Sequence, residues 1–142
     1  MIYINTLRSS QINDQTLFVK LGYGLGYSGA SLEFKTNEML VDEACEIVRL
    51  VGRYNQYNGQ KVAAVIKKIA ALWPSTHQHV TFQFGREYSP VLYVHFPYWK
   101  SNTERFENRD ELIQKSLVLL KTCDPNELGE ESKGYRIRAW WD

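Results

Sequence analysis

The chain has 142 residues, 44 % of them apolar and 23 % charged, with 17 Lys and Arg against 16 Asp and Glu. That length suits one domain, able to bury roughly two thirds of its unfolded surface without disulfides or a structural metal. No run reaches the ~18 apolar residues of a membrane span, Met1 to Leu7 lack the pattern of a signal peptide, and Cys45 and Cys123 show no CxxC or His spacing, so a reduced, cytoplasmic protein without a cofactor is expected.

Ile2 and Ile4 alternate with Tyr3 and Asn5, and Leu17, Val19 and Leu21 alternate with Phe18 and Lys20, which predicts two strands. A third is expected over residues 30–34, reached by a glycine-rich hairpin loop over residues 22–29. Gly24, Gly26 and Gly29 satisfy G-x-G-x-x-G, the pattern that brings backbone close to a pyrophosphate at a helix N-terminus. Here the glycines lead into the strand-like Ala30-Ser31-Leu32-Glu33-Phe34, so they read as a hairpin whose Tyr23 and Tyr27 are contact candidates.

Beyond Thr36 or Asn37 as cap, Leu40, Ala44, Ile47, Val48 and Val51 recur at helical spacing, with Glu38, Asp42 and Glu43 where the helix dipole favours acid. Asn58-Gly59 marks a turn, and a second helix follows with Val62, Val65, Ile66, Ile69, Leu72 and Trp73 as its buried stripe before Pro74 closes it. Residues 79–84 alternate, with residues 91–96 as hairpin partner across a turn at 85–90. Asn108 is a cap for a third helix with Leu112, Ile113, Leu117 and Leu120 on its apolar face, and Asp124-Pro125 stops it. Alternation from Gly134 onward predicts a last strand. The order β-β-β-α-α-β-β-α-β predicts a single α+β domain over residues 1–142, a mixed or antiparallel sheet with three helices on one face.

Charge is segregated along this series. From Ile47 to Arg86 the chain carries Arg49, Arg53, Lys61, Lys67, Lys68 and Arg86 with no acid, and the balancing acid falls mostly between Glu104 and Glu131. Arg49, Arg53, Tyr54, Tyr57, Lys61 and Lys68 combine cations, amides and tyrosines in one stretch. Such a mixture suits an acidic protein partner, and equally suits nucleic acid, whose phosphates it neutralises and whose bases it stacks. The bland alternative is that these lysines only solvate the outer face of the second helix.

Arg136, Arg138 and Trp140 share one face of the last strand, either as an extension of the contact surface or as an internal cation–π ladder. His77, His79 and His95 gather in one hairpin, and a register opposing 79 with 95 would let them hold a metal or carry acid–base chemistry, against the plainer reading of solvent-facing histidines. Cys45, beside an apolar stripe, reads as a buried inert thiol. With no reaction motif, the pattern fits a non-enzymatic binding protein of inhibitor, immunity or adaptor type that docks onto an acidic protein. A nucleic-acid accessory protein and a small His- or metal-dependent hydrolase are the alternatives.

Overall fold

Between Leu40 and Trp73 the apolar positions recur every three or four residues, and the chain forms two antiparallel helices there. The computed structural model describes residues 2–7, 32–132 and 134–142, with side chains described from Lys35 onward. The predicted strand at 17–21 and the glycine loop at 22–29 lie outside the described residues. Strand β1 is Ile2–Leu7 and β2 is Leu32–Thr36, which runs two residues beyond the expected end at Phe34. Helix α1, Val41–Val51, buries Ala44, Cys45, Ile47, Val48 and Val51, and has Leu40 as its N-cap in place of the expected Thr36 or Asn37. Residues Lys35 and Thr36 instead continue β2, and Met39 forms a bridge to Phe82, so backbone pairing holds this stretch extended until Leu40.

Gly52, at φ 71°, ends α1. Two-residue strands β3 (Arg53–Tyr54) and β4 (Tyr57–Asn58) then reverse the chain through Asn55 at φ 50°. The Asn58 side chain caps α2, Gly59–Leu72, by accepting from the backbone N–H groups of Gln60 at 3.1 Å and Lys61 at 3.3 Å. That cap satisfies two of the donors a helix start leaves open.

Strands β5 (Thr81–Glu87) and β6 (Ser89–His95) turn on Tyr88 alone, at φ 65°, where a six-residue turn had been expected. Gly85, Arg86 and Glu87 extend the ladder against Val91, Pro90 and Ser89. A buried arginine in this row is what hid it: Arg86 is only 2 % exposed, and its Nε donates to the Tyr88 carbonyl at 3.2 Å. Helix α3 is Arg109–Lys121; Asn108 precedes it, as expected, but makes no side-chain cap bond. Strands β7 (Glu127–Glu131) and β8 (Arg136–Trp140) finish the chain, β7 being an element the sequence reading missed.

The main sheet runs β1-β2-β5-β6-β8-β7, parallel between β1 and β2 and antiparallel elsewhere, with β3–β4 a separate pair. The register aligns Phe82 with Val94 and Phe84 with Leu92, then Val94 with Ile137 and Leu92 with Ala139. These six side chains are buried and join residues of all three described helices in one core with Trp73 and Trp141. The molecule is therefore α+β, as predicted, and the two faces of the sheet have different roles: one carries the helices, the other a polar network.

Candidate partner-binding surface

Helix α2 buries Val62, Ala63, Val65, Ile66 and Ile69, which leaves Gln60, Lys61, Ala64, Lys67, Lys68 and Ala71 exposed as one stripe. Helix α1 packs beside it closely enough that the Cys45 thiol donates to the Ala63 carbonyl at 3.4 Å. On α1, Asp42, Glu43, Glu46 and Arg49 are exposed, acid toward the start and base at the end, and Arg53 is exposed just beyond. Because α1 and α2 run antiparallel, Arg49 and Arg53 come to the same end of the pair as Lys61.

The stripe reaches over both flanks of α2. Burial pushes the Cys45 thiol above its ordinary range, and Arg49 and Lys67 are the cations that act against the shift. Burial likewise raises Cys123 beyond the far end of α3, opposed by the Thr122 hydrogen bond and the charges of Lys61 and Lys68. Neither thiol is poised to react, in line with the inert reading of Cys45.

Among the described residues, Arg49, Arg53, Lys67 and Lys68 make no ion pair within 4.0 Å, and Lys61 meets Asp124 only at 3.9 Å across two exposed side chains. Tyr54 is half-buried at the tip of this surface. Tyr57 does not belong to it. Its ring is 0 % exposed, lies edge-on to Trp141 at 5.2 Å, and its hydroxyl donates to the Val48 carbonyl at 2.6 Å. The tyrosine that looked like a stacking residue is a core residue, because the two-residue hairpin turns it under α1.

Arg136, Arg138 and Trp140 lie elsewhere, on the sheet face opposite the helices, and they are committed internally. Arg138 donates to Glu87 at 2.9 Å and Glu127 at 2.9 Å, and Arg136 donates to Glu131 at 2.9 Å through Nε. Arg136 also stacks over Tyr93 at 4.4 Å, Arg138 sits over the rim of Trp140 at 5.9 Å, and the Trp140 indole donates to the Glu87 carbonyl. Tyr93 donates its hydroxyl to Glu87. Burial together with that carboxylate pushes the phenol well above its ordinary range. The internal ladder, of the two readings of this stripe, is the one the geometry realises.

The histidines do not converge. His95 pairs with Thr81, so the expected register against residue 79 is off by two positions, and His79 precedes the ladder altogether. His95 donates Nε2–H to the Gln83 side-chain oxygen at 2.6 Å, and Gln83 in turn donates to the Thr36 carbonyl at 2.9 Å, which fixes the tautomer. His77 and His79 are exposed in the segment leading into β5. Among the described residues, no three His, Cys, Asp or Glu side chains are grouped so as to hold a metal ion.

Sequence reasoning named the basic residues of the α2 stripe, placed Leu72 in the buried stripe of that helix and passed over Val118 and Leu119; these three side chains line an open depression between α2 and α3. The signal was present: Leu117 to Leu120 are four consecutive apolar residues, and a helix cannot turn all four inward. No protein family matches the chain, and comparison with curated proteins and with solved structures finds no match either.

Proposed function

We propose that this chain is a binding protein of the inhibitor, immunity or adaptor kind, which docks its α1–α2 surface onto a protein presenting carboxylates. The observation that carries the reading is how its cations are distributed. Arg136 and Arg138 of β8 are engaged by Glu87, Glu127 and Glu131, while Arg49, Arg53, Lys67 and Lys68 stand exposed on the helical side without ion partners among the described residues.

Exposed cations left without ion partners steer association with a partner of opposite sign. Asp42 and Glu46 are exposed on the same helix as Arg49, and Asp124 stands beside Lys61. These acids interrupt the continuous positive track that a phosphate backbone follows, and mixed sign suits a protein whose own charges alternate. Ala64, small and exposed between Lys61 and Lys67, lets a partner backbone approach closely.

The test is affinity capture from lysate of the native host, with and without nuclease, using the wild-type chain and the Arg49→Glu/Arg53→Glu variant side by side. The expected result is a stoichiometric protein retained through nuclease treatment by the wild type and lost by the variant. Recovery of nucleic acid alone, or equal capture by both chains, would sink the proposal.

A further inference from the structure

Helix α3 holds more apolar residues than its inner face can take. Ile113 and Leu120 are fully buried with Ser116 between them, Leu112, Leu117 and Leu119 are half-buried at the margins, and Val118 is 66 % exposed. Val118, Leu119 and Leu72, with Gln114 and Lys115 beside them, line the depression of about 400 Å³ between α2 and α3. One exposed valine is ordinary; its setting is not. Lys115 and Lys121 each lie three residues from Val118, one turn to either side, and Lys68 lies one turn before Leu72 on α2. Glu111 is engaged by Lys115 at 3.3 Å, and Glu104 and Glu107 line a second depression that shares only Leu72 with the groove, whereas Lys68 and Lys121 have no ion partner among the described residues.

We infer that the α2–α3 groove seats an acidic amphipathic helix of the protein partner, with an apolar side chain against Leu72, Val118 and Leu119 and carboxylates one turn to either side reaching Lys68, Lys115 and Lys121. This rests on the function proposed above, whose basic stripe shares Lys68 with the groove, and it names the partner's docking element. The spacing selects a helix. Three residues along α3 advance about 4.5 Å, which matches residues three apart on a partner helix, whereas same-face residues of a strand repeat at about 6.8 Å. An apolar seat framed by cations is the receiving half of the helix-in-groove mode, and a nucleic acid would leave the seat uncovered.

The test is an NMR titration of the isotope-labelled full chain with three synthetic peptides of equal length. One carries leucines at i, i+3, i+4 and i+7 flanked by Glu; one has the same leucines flanked by Lys; one is a scramble of the acidic peptide. The acidic amphipathic peptide is expected to shift saturably the amides around Leu72 and from Gln114 to Lys121, with Val118→Asp weakening it at least ~10-fold and the Lys-flanked peptide giving no saturable shift. Val118 is exposed, so the variant's own spectrum verifies that it folds. Equal binding of the scramble, shifts that map elsewhere, or unchanged binding by Val118→Asp would overturn the inference. The two readings separate cleanly with the captured partner. Loss of capture on Arg49→Glu/Arg53→Glu with unchanged capture by Val118→Asp removes the groove alone, and the reverse pattern removes the basic surface alone.

Discussion

At Gly59 one missing methyl group sets how closely α1 and α2 pack. A Cβ there would stand 2.5 Å from the Val48 carbonyl oxygen and 3.1 Å from the Arg49 Cα, both backbone atoms. The same carbonyl accepts the Tyr57 hydroxyl, and the Gly59 N–H donates to the Gly52 carbonyl at 2.6 Å, so none of these groups can yield independently. Alanine is ordinarily the better helix former by about 1 kcal/mol, but forced separation of packed backbones costs about 1–3 kcal/mol. Gly59→Ala is therefore predicted to lose up to about 2 kcal/mol, read as a lower urea midpoint at unchanged slope; a stabilised variant would show that the contact relaxes freely. Little of this was legible beforehand. Asn58-Gly59 announced a turn with a helix to follow, and the helix begins at Gly59 itself with Asn58 as its cap, but the amides around Tyr57 made that ring look like a surface residue. Burial of a tyrosine is decided by which way a two-residue hairpin leans, and periodicity cannot show that in so few residues.

Strand β8 illustrates the element scale, because its alternation was readable and its role was not. Ile137 and Ala139 point into the core and Arg136, Arg138 and Trp140 out of it, as period two requires. What decides between an interface and a ladder is the acid opposite, and that acid comes from β5 and from β7, whose Glu127-Leu128-Gly129-Glu130-Glu131 resembles a loop in composition. Strand β7 forms by pairing with β8 as a hairpin, and that pairing overrides its weak intrinsic preference. If Arg138 is structural, Arg138→Gln should cost about 1–3 kcal/mol by leaving Glu87 and Glu127 short of a partner on a part-buried face, with partner affinity unchanged; lost affinity in a stable variant would return the stripe to the contact surface. His95 on the same face carries a pH dependence. Burial lowers its pKa below the ordinary 6.5, helped by Arg136 and Lys35 and opposed by Glu38 and Glu131. The unfolded chain then takes the proton first as pH falls, so this group's stabilisation is complete above about pH 6.5 and is lost on acidification through and below that value. Denaturation at about pH 7.5 and about pH 5 should show a steeper acid loss in the wild type than in His95→Gln; parallel losses would remove His95 as the cause.

For the whole molecule, a formal charge of +1 conceals two unlike faces. Glu87, Glu127 and Glu131 are engaged by Arg136 and Arg138, and Glu111 by Lys115, whereas Arg49, Lys67 and Lys68 of α1 and α2, and Arg53 just beyond α1, have no ion partner among the described residues. Segregation along the chain was legible in composition alone; which charges survive folding uncompensated depended on strand order, which was not. The consequence is kinetic. Exposed cations act at a distance, before contact, and are screened by salt, whereas an apolar side chain acts only once the surfaces meet. Reversing Arg53 and Lys68 to Glu should therefore slow association with the captured partner by about 10-fold at low salt, with the deficit shrinking as salt rises. Val118→Asp should leave the association rate near wild type and speed dissociation instead. Stopped-flow or surface-binding kinetics at two ionic strengths separates the two. Should charge reversal change only dissociation, and without salt dependence, the basic surface would be a set of local contacts, and its segregation would carry no steering role.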